Sequence, residues 1–151
     1  RGQQIFNNVP FQISGVNGLN DVLGQATVTG TCSTCHNAPN VGGHSVVRMF
    51  DVGTADLPNC DSMLPQVTVQ NKTTHETRTV CDLGRANSSH LWSQIGTFRA
   101  PPLRGLAARA PYFHDSQAAR LEDVVAYFDQ RFHIGLSGDQ KSDLVAFLRA
   151  L

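Results

Sequence analysis

Residues 32–36 read Cys-Ser-Thr-Cys-His, and no other stretch limits so tightly what the chain can become. Two thiols separated by two residues can reach the two vinyl groups on one edge of a porphyrin and add to them. A histidine directly after the second thiol then presents an imidazole nitrogen to the iron from one face. The spacing therefore points to covalent c-type haem attachment, with Cys32 and Cys35 as thioether donors and His36 as the proximal iron ligand. A zinc site would need a second ligand pair at matching spacing, and Cys60 and Cys81 lie far apart with no second C-x-x-C between them. A thioredoxin-like dithiol would need a strand before it and a helix after, whereas a Gly/Thr stretch that reads as loop precedes this one.

The composition narrows the setting. Lysine plus arginine and aspartate plus glutamate are both 12 in 151 residues, so the formal charge is zero and nothing argues for binding nucleic acid or an anionic membrane by charge. No apolar run approaches the roughly 18 residues of a membrane span. The opening RGQQIFNN lacks the apolar stretch of a secretion signal, so the chain is expected to be either already mature or part of something longer. Its length fits a single domain spanning 1–151. Cys60 and Cys81 read as a disulfide, worth roughly 3 kcal/mol for a loop of about twenty residues and persistent only in an oxidising compartment. Two unrelated buried thiols are the plain alternative.

Along the chain, 1–8 reads as a short helix, 11–30 as a Gly/Asn/Thr-rich loop, and 37–88 as a long turn-rich excursion in which QVTVQ can make a small strand or hairpin. SSHLWSQIG reads as a short helix capped by Ser88 or Ser89, and prolines at 101, 102 and 111 keep the next stretch irregular. Leu121, Val124, Val125 and Phe128 fall at i, i+3, i+4 and i+7, one apolar stripe of a helix. The last helix starts at Ser137 with Gln140 in the capping-box position and buries Leu144, Val145, Leu148 and Leu151.

CSTCHNAPNVGG, GTFRAPPLRGLAARAPYFHDS, LEDVVAYF and the closing DLVAFLRAL together resemble the C-terminal haem domain of the bacterial di-haem cytochrome c peroxidase and methylamine-utilisation di-haem enzyme family. The likeness runs from Thr31 onward and is most specific from Phe98 to Asp115. In that family two c-type haems sit in two such domains, one handling peroxide or substrate and one relaying electrons. A single C-x-x-C-H here implies one domain of that architecture and one haem c. The resemblance places the second axial ligand, a methionine or tyrosine, seven residues past the leucine matching Leu121; that position is Phe128.

Several readings of the iron's other face stay open. Phe128 caps an otherwise five-coordinate haem, or the helix is rotated so that Tyr127 reaches the iron, or His133 bends back as a second imidazole, or the ligand is His44 or Met49 near the motif. Each has an ordinary competitor: a core aromatic, a loop histidine, a gap-filling methionine. Arg99 and Arg104 are candidates to pair with haem propionates, or else surface charges. His114 structures its loop or handles protons, Trp92 packs on the porphyrin or fills the core, and His75 and His90 face solvent.

The resulting expectation is a periplasmic or otherwise extracytoplasmic c-type cytochrome domain, mostly α, with a long loop-rich insertion and at most a small β-hairpin. It would pass single electrons through one covalently bound haem between redox proteins or other haem domains. The alternatives are a peroxidase-like catalytic domain with an open face and a nearby acid–base residue such as His114, and a haem-bearing subunit docked in a larger redox assembly.

Overall fold

The computed structural model describes residues 1–36, 46–60 and 63–151. Helix α1 (Gly2–Asn8) buries Ile5 and Phe6. It lies so close to the last helix that a Cβ on Gly2 would fall 2.0 Å from the Asp143 carbonyl oxygen, so only glycine fits there. Strands β1 (Phe11–Ser14) and β2 (Thr27–Gly30) form an antiparallel hairpin in which Phe11 faces Gly30 and Ser14 faces Thr27. The short helix α2 (Asn20–Leu23) fills the hairpin loop. Its Asn20 side chain is buried and bridges the Val16 N–H and the Ile13 carbonyl.

The expectation of a loop at 11–30 is corrected by this hairpin. Its period-2 signal is only four residues per strand, and Gly and Asn on either side read as turn. The "mostly α" expectation also fails, because 34% of the described residues are helical and 19% lie in strands. Two more small antiparallel pairs join β3 (Met49–Phe50) to β6 (Phe98–Arg99) and β4 (Val67–Gln70) to β5 (Thr77–Val80). The β4–β5 hairpin contains the QVTVQ run read as strand-forming. The two-residue β3–β6 pair exists because tertiary packing brings distant segments together, a contact that no local period announces.

The region around 86–94 is a short helix, α3 (Ala86–Ser89), followed by a 3-10 turn at Trp92–Gln94. His90 stands between them in the left-handed region at φ 57° and breaks the single helix expected from SSHLWSQIG. Helix α4 (Leu121–Phe132) ends on His133, also left-handed. Helix α5 (Gly138–Arg149) begins with the expected capping box: Ser137 Oγ accepts the Gln140 N–H at 3.2 Å, and Gln140 Oε1 accepts the Ser137 N–H at 2.9 Å. α1, α4 and α5 enclose a core that includes Ile5, Leu121, Val125, Leu144 and Leu148. A second cluster, with Ile13, Val16, Phe50 and Phe132, joins the first hairpin to the end of α4. Among the described residues no helix is long and apolar enough to cross a membrane.

Candidate functional site

Gly30 ends β2 where a Cβ would fall 2.5 Å from Thr34 Oγ1, so the hairpin delivers the chain tightly into the next turn. That 3-10 turn, Cys32–Thr34, is closed by a capping box in which Thr34 Oγ1 accepts the Thr31 N–H at 2.9 Å. The turn places Cys32, Cys35 and His36 on the wall of one cavity of about 630 Å³. Neither cysteine is in a disulfide. Burial pushes both thiols up to about 11, so they stand as neutral S–H groups. The His36 imidazole is pushed down to about 4, by burial first and against the pull of the Pro101 carbonyl, so it is neutral and keeps a lone pair. Its buried Nδ1 has no hydrogen-bond partner.

The remaining walls are overwhelmingly apolar. Phe6 lies beside His36 with ring centroids 6.1 Å apart. Across the cavity α4 presents Leu121, Val124, Val125, Phe128 and Phe132, the stripe read from the sequence with Phe132 added. Phe128 stacks on Phe132 at 6.2 Å and meets the edge of Phe113 at 6.0 Å. Phe11 of β1 stacks on Phe132 at 5.5 Å.

The candidates do not all meet here. Phe128 lines the cavity, and so does Arg99 of β6, but Arg104 is exposed outside it. Tyr127 is not on the wall: its hydroxyl donates to the Val52 carbonyl at 2.9 Å, and burial holds that phenol up near 12. Met49 is absent from the lining, and His133 is exposed at the end of α4. His44 lies outside the described residues. Trp92 packs instead on the cluster of Val80, Ala86 and Ile95, and His75 and His90 are exposed as expected. His114 does reach the wall, its ring stacked on Phe98 at 4.0 Å.

Two contributions are not evident in the linear sequence. Arg109 lines the cavity and donates to the Pro102 carbonyl, giving the rim a second guanidinium beside Arg99. Phe6, Phe11 and Ile13 come from the segment before the motif, and only the Phe11/Ile13 alternation hints at a buried face.

The residues fit a covalently held haem. A neutral thiol adds across a vinyl group with no leaving group: sulfur bonds one carbon and the thiol hydrogen goes to the other. The neutral imidazole offers a lone pair to iron, the apolar walls suit a porphyrin, and a guanidinium suits a propionate. The residues do not fit zinc. The ligating atoms that gather within 4.8 Å among the described residues belong to Cys81, His114 and Asp115, and Cys32, Cys35 and His36 make no such group.

Donor set and cavity are thus those of a c-type haem domain. No family model and no solved structure matches the chain. Among curated proteins it is 35% identical over 121 residues to cytochrome c551 peroxidase of Pseudomonas aeruginosa, a match covering 80% of this chain and 30% of that protein. It is 30% identical over 142 residues to cytochrome-c peroxidase IdrP1 of Denitromonas iodatirespirans (80% and 36%), and 31% identical over 136 residues to IdrP2 of the same organism (83% and 37%). The chain is thus a homologue of proteins named cytochrome c peroxidases, of the bacterial di-haem type, in line with the resemblance to their C-terminal haem domain. It spans about a third of the length of the curated relatives it matches.

Proposed function

We propose that this chain is a c-type haem domain that passes single electrons between redox partners outside the cytoplasm. The convergence of Cys32, Cys35 and His36 on one apolar cavity carries the reading. Haem c, when bound, supplies an iron centre that accepts and releases one electron. Cys32 and Cys35 would hold it through thioethers, and His36, beside Phe6, would ligate the iron. Arg99 and Arg109 line the same cavity and would pair with propionates, and the Phe11, Phe113, Phe128 and Phe132 rings on its walls would exclude water. A dry surround limits the reorganisation that accompanies a change of charge. The partners are other redox proteins or haem domains, including a second haem domain of the same protein as in the di-haem relatives.

A second reading, a peroxidase-like centre, is favoured by Phe128. The position that the resemblance assigns to a ligating methionine or tyrosine carries a side chain that cannot bind iron, and Tyr127 is committed to Val52. Ferric absorption and EPR spectra with and without cyanide separate the two. A low-spin spectrum unmoved by cyanide supports the carrier, whereas a high-spin spectrum converted by cyanide overturns it in favour of an open, reactive face. Phe128→Met is expected to produce a low-spin, sulfur-ligated spectrum, because residue 128 faces the cavity; an unchanged spectrum would reject that geometry.

A further inference from the structure

We propose that the Cys60–Cys81 disulfide is the oxidised form of a metal site: once the bond is reduced, Cys60, Cys81, His114 and Asp115 bind one zinc ion. The donors come from three separate segments. The disulfide joins the residues preceding β4 to the end of β5, while His114 and Asp115 sit in the loop before α4. The ligating atoms of Cys81, His114 and Asp115 lie within 4.8 Å of one another, and Cys60 is bonded directly to Cys81. Ligands about 2.0–2.3 Å from a tetrahedral zinc stand roughly 3.3–3.8 Å apart, so Cys81, His114 and Asp115 need to close by only about 1–1.5 Å, and the Cys60 sulfur, which stands outside that 4.8 Å group, joins them once its bond to Cys81 opens.

Each donor on the far side of the disulfide is already held. The Cys81 N–H donates to the Ala55 carbonyl at 3.0 Å, the His114 ring is stacked on Phe98, and Asp115 Oδ1 accepts the Gln117 N–H at 3.2 Å. The Asp82 carboxylate lies 3.6 Å from His114 Nε2, and a carboxylate beside a liganding imidazole fixes the ring and its tautomer. Two thiolates, an imidazole and a carboxylate are a donor set that zinc takes, and alkaline-earth cations do not.

Formation of the site balances. A dithiol reductant delivers two electrons and two protons to the S–S bond and becomes a disulfide itself, leaving two thiols. The incoming zinc ion displaces those two thiol protons to solvent and binds both thiolates. Because His114 also lines the large cavity, ligation would fasten one cavity wall to the redox state of this disulfide.

The test uses the full-length protein with its cofactor in place and a phosphine reductant, which is oxidised to the phosphine oxide and competes little for zinc. The reduced protein is expected to take up one zinc per chain more than the oxidised protein. Cobalt in its place should show thiolate-to-metal charge-transfer absorption. Cys81→Ser should abolish the extra uptake, and His114→Gln and Asp115→Asn should each weaken it by more than about tenfold, the range that even outer-shell partners command. Equal uptake by oxidised and reduced protein would overturn the proposal. So would unchanged affinity in both His114→Gln and Asp115→Asn, which would leave only an isolated dithiol. Failure of haem attachment would appear separately, as the loss of covalent haem from Cys32 and Cys35, with the Cys81→Ser comparison intact.

Discussion

Two cavities share a wall at residues 50–52, and they solve opposite problems. Phe50 and Val52 line the apolar cavity of about 630 Å³, while Asp51 between them turns into a polar cleft of about 530 Å³ with Asp56, Glu76 and Arg78. The polar cleft largely satisfies itself. Arg78 Nη2 pairs with Asp51 at 2.5 Å and Asp56 at 2.7 Å, and its Nη1 donates to the Ile95 carbonyl at 3.1 Å. The apolar side presents unpaired chemistry instead: two free thiols and an imidazole nitrogen without a partner. Polar groups that find one another make structure, whereas polar groups held apart in an apolar wall await a ligand.

The largest effect expected from breaking this contrast comes from the apolar side. Replacing Cys32 and Cys35 together by serine should leave no haem on the chain after denaturation, and a haem-staining band that survived would reject the thioether assignment. The same variant should lose its cooperative thermal transition. At roughly 24 cal/mol per Å³, half of a cavity of about 630 Å³ left dry costs on the order of a domain's whole stability, roughly 5–15 kcal/mol.

On the polar side, Asp51→Ala should lower stability to chemical denaturation by about 3 kcal/mol, near the bottom of the range for breaking a buried pair because Asp56 still holds Arg78. The haem spectrum should stay the same. A loss below about 0.5 kcal/mol would mean that the pair behaves as a surface ion pair.

A smaller effect tests the shared wall itself. Tyr127→Phe removes one of two donors to the Val52 carbonyl, the other being Arg131 Nε at 3.1 Å, and should cost about 1 kcal/mol. The ferric spectrum should be unmoved; a change of spin state would show that the hydroxyl reaches the iron.

The smallest effect lies behind that wall, where Asp129 joins α4 to α5. Burial opposes ionisation of its carboxyl, but Lys141 Nζ at 2.7 Å and the Leu136 N–H more than offset this, so the group titrates below its ordinary 3.8. A lowered carboxylate stabilises the fold above its ordinary value and loses that contribution as pH falls through the folded value. The stability lost in Asp129→Asn should therefore be under about 1 kcal/mol, constant from neutral pH to about pH 4 and shrinking below it. A gap that widens toward acid would reverse the assigned direction.

Legibility in the sequence followed the range of the interaction. The α4 stripe, the Ser137–Gln140 capping box and the β4–β5 hairpin were all readable, because each depends on residues within a few positions of one another. The β1–β2 hairpin was missed because its strands are four residues long and its neighbours carry turn composition. The distal candidates were unresolved for another reason. Tyr127, Met49 and His133 all have iron-binding side chains, and nothing local records that Tyr127 bonds to Val52, Met49 stays off the cavity wall and His133 points to solvent.

By itself, then, the sequence determined the chemistry: the spacing of Cys32, Cys35 and His36, a cysteine pair able to bridge, and helices with one apolar face each. The tertiary structure alone decided the company those residues keep. Phe6, Phe11 and Arg109 reach the cavity from opposite sides of the motif, and His114 joins that wall to the sulfur of Cys81. Periodicity specifies which face of an element is buried, but the partner of that face follows from how all the buried faces pack at once.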